Sequence, residues 1–544
     1  MKKKLLSLVF SAISVVSLAQ NTPYVTSAPK SASDIVVRNK ADIRAPKLYV
    51  IDENQVAQLL LTAPDLFSGA KSTTLISLPD AQGALQTFEM YVASNMERDL
   101  QVRYAEIKSY RGTSKTKPGE TLYLSISPLG LQTMVLGADR KATFIEPYTT
   151  NRSQYIVYEK SENWFTEGSF DCRVVDDIKK SRTNAGEQVA FRPNADDGTF
   201  RTYRLAMSVT GEYTAYFGGT KALALAAINA TMTRVNGVFE KDFGVRMNLI
   251  ANTDLVIYTN ASTDPYSAAA TGAGGAWNQE LQTTLTNVIG SANYDVGHLF
   301  GASGGGGNAG CIGCVCRNPT TAQPLGKGSG YTSPADGIPQ GDAFDIDYVA
   351  HELGHQFGAN HTFTHSNEGT GAQMEPGSGS TIMGYAGITG PTTDVQTNSD
   401  PYFHAQSIQQ VTNYIKTTTC QTNTTTGNAI PVVNAGLDYT IPRGTPFMLT
   451  GTATDANSGS LNYCWEQMNV GTSTSTIPSA TRTTGPAFRS FLPSTSPTRT
   501  FPRMSTVLAG ATSWTWEVVP TVARTMNFRL TVRDNDVAGP ANNS

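Results

Sequence analysis

His351, Glu352, His355, Gly358 and His361 spell HExxHxxGxxH, and they hold three of the six histidines in 544 residues. Imidazoles four positions apart share one face of a helix. Glu352 projects to one side of that pair, so it is placed to handle protons rather than to bind metal. Gly358 allows the backbone to turn sharply after the helix, and His361 can then swing back as a third ligand. Three protein ligands that leave a fourth position to water make a catalytic rather than a structural zinc arrangement. The ion lowers the pKa of a water towards neutrality. Glu352 then takes the proton as general base and returns it to a leaving amine. Two surface histidines on an ordinary helix are the bland alternative, and that reading leaves Gly358 and His361 unexplained.

The elements that must carry these residues are read from periodicity. A helix is expected over 346–357, and another over 223–239, where Leu225, Ile228, Met232, Val235 and Phe239 recur at three and four. Strands are expected at 203–209, 245–249, 255–258 and 296–300, with a helix at 278–289 before the last. This order is an α/β plan. The glycine-rich run 301–310 reads as a loop leading through Cys311, Cys314 and Cys316.

Before this segment (197–422) lies a β-rich segment (20–195), with strands at 87–92, 122–127 and 155–158 and a helix at 53–61. It holds no cluster of catalytic side chains and reads as a pro-domain. After it, 430–544 reads as an Ig-like β-sandwich that binds substrate, glycan or surface, or acts as a spacer. Its short strands are expected at 438–441, 446–450, 461–467, 514–518 and 526–532, with Trp465 in the core. Its last strand falls just before Ser544, and a closing strand or a secretion domain is expected beyond. Residues 1–19 combine Lys2–Lys4, an apolar run and Ala19 at the end, a secretory signal peptide too short to span a membrane. The mature chain is therefore expected outside the cell. A net charge of −3 with 16% charged residues supplies no basic block, which argues against nucleic acid as a partner.

Export permits disulfides. CxxCxC at Cys311, Cys314 and Cys316 is either a second metal site or part of a disulfide set. Cys314 and Cys316 are too close to bridge each other, which makes Cys420 the best distant partner. Cys464 reads as a thiol outside any bridge. Asp394, Asn398 and Asp400 form an oxygen-rich loop, and with Glu375 they are the candidates for Ca²⁺, although their spacing matches no EF-hand. Glu375 is equally a candidate to orient a ligand. His365 and His404 read as surface or local hydrogen-bonding residues.

Together with Ser378–Tyr385, in which Met383 sits among small residues, the zinc pattern resembles the metzincin clan of zinc endopeptidases. Within the clan the chain is similar to secreted reprolysin-like (adamalysin-like) peptidases of Bacteroidota, through Gly211–Thr214, Met232–Asn236, Tyr402–His404, Tyr463–Gln467 and Arg533–Asn535. The resemblance implies hydrolysis of protein or peptide substrates and a methionine turn at Met383 beneath the metal. It makes 296–300 the edge strand that aligns substrate, with His298 belonging to that strand and not to the zinc. It places the S1′ pocket between Met383 and the helix near 407–415. Two departures stand out. Thr362 follows the third histidine where reprolysins carry Asp. Tyr385 lies two past Met383, as in astacins and serralysins, where a tyrosine is a labile ligand or an oxyanion helper. Relatives also silence the zymogen with a pro-domain cysteine. Cys172, beside Arg173, is the candidate and Asp171 the alternative, against a reading of Cys172 as simply buried or bridged. Cleavage near Arg182, or between Arg192 and Arg201, would release the latch. The alternative function is a noncatalytic surface-binding or adhesion protein with a relic zinc domain, and Glu352 argues against it.

Overall fold

The computed structural model describes residues 24–37, 40, 43, 45–160, 172, 196–366, 368–457, 459–471, 477–537, 539 and 542–543. The expected signal peptide, Asp171, Arg173, Arg182 and Arg192 lie outside these.

The chain is multidomain and β-rich. Its N-terminal unit is one nine-stranded sheet in which every pairing is antiparallel, from Val25–Ser27 and Lys47–Ile51 at one edge to Leu75–Pro79 at the other. Alternation of apolar and polar residues makes such strands. In Leu85–Val92, Phe88 and Met90 point into a core closed by the short helix Glu53–Leu60. Asp52 caps that helix by accepting from the Gln55 amide at 3.0 Å.

The central unit is a mixed sheet flanked by helices. In spatial order its strands are Val245–Leu249, Thr199–Val209, Val296–Phe300, Gly330–Ser333 and Gly306–Asn308. These are parallel except the last, and a sixth strand, Thr422–Thr425, pairs antiparallel with the start of Thr199–Val209. Two sequence expectations change here. Val296–Phe300 is not the edge strand, because it is bonded on both sides, to Thr199–Val209 and to Gly330–Ser333. The edge is Gly306–Asn308, inside the glycine run expected to be a loop. Glycine packs poorly in a strand, but this one needs only main-chain bonds to its neighbour, and bulk on it would strike the helix beneath. The expected strand at 255–258 is instead a 3₁₀ turn, Thr253–Val256, followed by a single bridge from Ile257 to Val209.

The long helix Lys221–Phe243 runs under the sheet. Thr220 caps its start, and Gly244, at φ 62°, ends it in the left-handed conformation. Every residue from Ala224 to Phe243 is buried, charged ones included. Helical backbone runs from Ala343 through Gln356, wide-turned before Ala350 and regular over Ala350–Gln356. Disulfides join Cys311 to Cys314 and Cys316 to Cys420. The second ties the loop before the histidine helix to the chain after helix Ala405–Ile415. Neither Cys172 nor Cys464 takes part in a disulfide, and both are buried.

The C-terminal region forms four small sheets about one apolar cluster containing Trp465, Phe488, Phe501 and Leu530. Residues 438–441, expected as a strand, have no ladder partner. Their apolar side chains Tyr439 and Ile441 lie exposed. No described helix is long and apolar enough to cross a membrane.

Candidate metal centre

Helical spacing brings His351 and His355 to one face, and Gly358 returns the chain so that His361 meets them. Gly358 adopts φ 107°, and a Cβ there would lie 3.1 Å from the Tyr414 Cβ, so position and backbone both demand glycine. The three Nε2 atoms converge at 3.2 Å (His351–His361), 3.1 Å (His351–His355) and 2.9 Å (His355–His361).

Each opposite ring nitrogen is engaged. His351 Nδ1 donates to the Ile382 carbonyl at 2.7 Å and His355 Nδ1 to the Ala359 carbonyl at 2.8 Å, while His361 Nδ1 meets the Glu368 carboxylate at 2.8 Å. A carbonyl only accepts, so the proton of the first two rings is on Nδ1 and Nε2 is bare. Burial keeps these rings neutral. It lowers His351 to about 3 and His355 well below the ordinary value, in each case reinforced by the neighbouring histidines. Bare lone pairs facing one another repel unless a cation lies between them. Ligands of a tetrahedral zinc at about 2.0–2.1 Å would stand about 3.3 Å apart, close to the separations found. The donor set therefore fits zinc.

Cys172 completes the group. Its sulfur is 3.8 Å from His355 Nε2, and the four potential ligand atoms lie within 4.8 Å of one another. Its main chain forms a parallel bridge to Gly307 on the edge strand, and its carbonyl accepts from the Tyr385 hydroxyl at 3.2 Å. Among the described residues this is the one group of three or more His, Cys, Asp or Glu that could share a metal. The expected calcium loop is otherwise occupied. Asp394 accepts from the Gly387, Thr389 and Gly390 amides and the Thr389 hydroxyl, and Asn398 donates to Asp347.

Glu352 is fully buried, and neither of its oxygens has a close hydrogen-bond partner among the described residues. Burial raises its carboxyl to about 8, against the pull of the Cys172 thiol and the Ala309 amide. A Cβ on Gly307 would sit 2.2 Å from its Oε1. Glycine at 307 is what leaves room for the Glu352 carboxyl against the edge strand.

Met383 lies under the histidine helix, where a Cβ on Gly354 would come within 2.6 Å of its sulfur. The turn carrying it contacts His351 directly through the Ile382 carbonyl. Tyr385 meets the cluster edge-on, its ring centroid 4.6 Å from that of His361 at an interplanar angle of 66°. Burial raises its phenol well above the ordinary value, so it remains a donor. His298 lies away from the cluster, bonded to Gln356 at 2.8 Å and Thr332 at 2.9 Å.

Three contributors escaped the sequence reading. Gly307 is hidden in a glycine run. Glu368 bonds a histidine from a loop with no periodic signal. The main-chain oxygens of Ile382 and Ala359 carry no side-chain signature at all. Glu375, expected to orient a ligand or hold calcium, gathers donors from the segments on either side of the cluster. Buried at 1% exposure, it accepts from Thr362, the residue after His361, and from Ser380 and Thr381 before Met383.

Residues 199–415 match the family Reprolysin_4, described as metallo-peptidase family M12B reprolysin-like. Over this segment the chain is similar to the reprolysin-like members of that metallopeptidase family. No curated protein matches the chain significantly.

Proposed function

We propose that the chain is an exported zinc endopeptidase made as a zymogen, with His351, His355 and His361 as its zinc ligands, Glu352 as its general base and Cys172 as its latch. In this reading 1–19 is the signal peptide, 20–195 the pro-segment, 197–422 the catalytic domain and 430–544 an Ig-like sandwich built around Trp465. The observation that carries the proposal is the convergence of the Nε2 atoms of His351, His355 and His361 beside the buried carboxyl of Glu352.

Zinc, when bound, supplies the Lewis acid that polarises water and a peptide carbonyl. The protein does the rest. An extended peptide adds by main-chain pairing to the edge strand Gly306–Asn308, where Cys172 is now bridged to Gly307. Glu352 takes a proton from the attacking water at a carboxylate oxygen and hands it to the departing amine. The Tyr385 hydroxyl, released from the Cys172 carbonyl, becomes a donor to the charge developing on the substrate oxygen. Met383 and the Ile382 carbonyl hold the first ligand in orientation from below.

Cys172 lies beside the edge strand, bridged to Gly307, with its sulfur near the three histidine nitrogens, where it would be able to hold the metal with them. A thiolate there would exclude both water and substrate. Arg201, one bound of the expected cleavage window, is buried in the first strand of the central sheet and paired with Asp197 at 2.6 Å, which points to a cut on its N-terminal side.

The test is hydrolysis of a denatured protein such as casein by zinc-loaded chain, before and after cleavage within 173–195. Activity that rises sharply on cleavage supports the reading. Inert protein in both states, with zinc bound, sinks it in favour of a surface-binding role.

A further inference from the structure

We infer that the N-terminal unit, residues 24–160, is a permanent partner of the catalytic domain: once the connecting segment 161–195 is cut, the two pieces remain one non-covalent complex, and only the chain around Cys172 leaves the cleft. The departure of Cys172 rests on the peptidase reading, whereas the association does not.

The helix Lys221–Phe243 frames the question. Its face towards the N-terminal unit carries Asn229, Thr233, Arg234, Asn236 and Glu240, all buried. Arg234 bonds Glu146 at 2.5 Å, and Arg111 bonds Glu240 at 3.0 Å. Such a face alone would accept water if the covering sheet left. Buried ion pairs contribute little net affinity, because the desolvation they require offsets the attraction. The polar contacts therefore do not decide the matter.

The main chain does. Val245–Leu249 is the outer strand of the catalytic sheet, and its open side is covered by residues 93–97. The Leu249 amide donates to the Asn95 carbonyl at 2.7 Å, and the Glu97 amide donates back to the Leu249 carbonyl at 2.9 Å. Arg246, on the same strand, donates to the Ala93 and Ser94 carbonyls at 2.6 and 2.8 Å. Departure would bare a strand edge, the feature soluble proteins keep covered. Asn95 then locks the corner. Its amide donates to Ser109 at 2.9 Å and Thr233 at 2.8 Å, and its carbonyl oxygen accepts from Asn236 at 3.0 Å.

Packing agrees with the backbone. Tyr123 lies so close to the helix that a Cβ on Gly237 would fall 2.9 Å from its ring, and its hydroxyl donates to the Gly237 carbonyl at 3.2 Å. Met96, Leu100, Ile107, Tyr123 and Phe144 belong to the same apolar cluster as Val235, Phe239 and Met247. The N-terminal unit also has a core of its own, but this second cluster has members from both units, and separation would expose its apolar surface to water.

The test places a sequence-specific protease site within 173–195 of the full chain, cuts it, and follows both fragments by size exclusion and mass spectrometry at physiological and at high salt. Co-elution in one peak at both salts, with the Leu249 amide still protected from hydrogen exchange, is expected. Recovery of the N-terminal fragment alone in solution overturns the inference whatever the state of the other piece. Tyr123→Ala combined with Asn95→Ala, in the cut protein, should convert co-elution into separation. Fragments of that variant that still co-elute would show that these contacts do not hold the complex.

Discussion

Replacing Glu375 by alanine tests how the metal centre is supported. The carboxylate gathers five donors: the Thr362 hydroxyl at 2.5 Å, the Ser380 amide at 3.0 Å and hydroxyl at 3.4 Å, and the Thr381 amide at 3.3 Å and hydroxyl at 2.6 Å. The hydroxyls can rotate towards other acceptors, but the two amides cannot. A buried donor left unsatisfied costs about 1–3 kcal/mol, and the charged bonds lost with it bring the total to about 3–5 kcal/mol. The strain falls where it matters, because Thr362 follows the third histidine and Ser380 and Thr381 precede Ile382, whose carbonyl holds the first. Zinc affinity should fall about 10–100-fold, as for other residues that orient metal ligands. Hydrogen exchange across 376–385 should quicken. Glu375→Gln keeps one acceptor oxygen and should lose roughly half as much free energy. Chelator competition reads the affinity directly. An alanine variant that holds zinc as tightly as the wild type and exchanges at the wild-type rate would refute the reasoning.

Gly358→Ala forces a side chain into a left-handed conformation and towards Tyr414. It should cost about 1–3 kcal/mol and weaken zinc binding through His361, as the same competition would show. Cys172→Ala should make the uncut chain active on casein; an uncut variant as silent as the wild type would remove the latch. His298 has its pKa lowered to about 4 by burial, so the native state binds fewer protons there than the unfolded chain. Its contribution to stability is complete above about pH 6.5, is lost as pH falls towards 4, and reaches about 3 kcal/mol. Its imidazole resonances, assigned with His298→Gln, should stay unshifted from about pH 7 to about pH 5; titration in that range would contradict the burial argument.

Residues whose chemistry is local were legible in the chain. The spacing of His351 and His355 follows from helical geometry, and the return of His361 follows from one glycine. Val245–Leu249 and Val296–Phe300 announce themselves by composition, and a distant bridge to Cys420 followed from export and crowding. What escaped depends on neighbours far along the sequence. Gly306–Asn308 is a strand because Gly330–Ser333 lies beside it and Glu352 beneath it, neither of which a glycine run can signal. Val296–Phe300 became central rather than peripheral because that extra strand follows it. The helix Lys221–Phe243 carries Asn229, Arg234 and Glu240 as though for solvent, yet the N-terminal unit covers them. Ordinary polar patterning would leave that face open, and only the partner's own buried Arg111 and Glu146 explain it. The 255–258 stretch has strand composition, but it finds a single bridge and closes as a tight turn.

The central claim is most directly tested by Glu352→Gln in linker-cut, zinc-loaded protein, with metal content and peptide hydrolysis measured on the same samples. The account predicts about one zinc per chain in both proteins and turnover lower in the variant by about 10²–10⁴-fold. Equal turnover in the two, or loss of zinc with the glutamine, would contradict it.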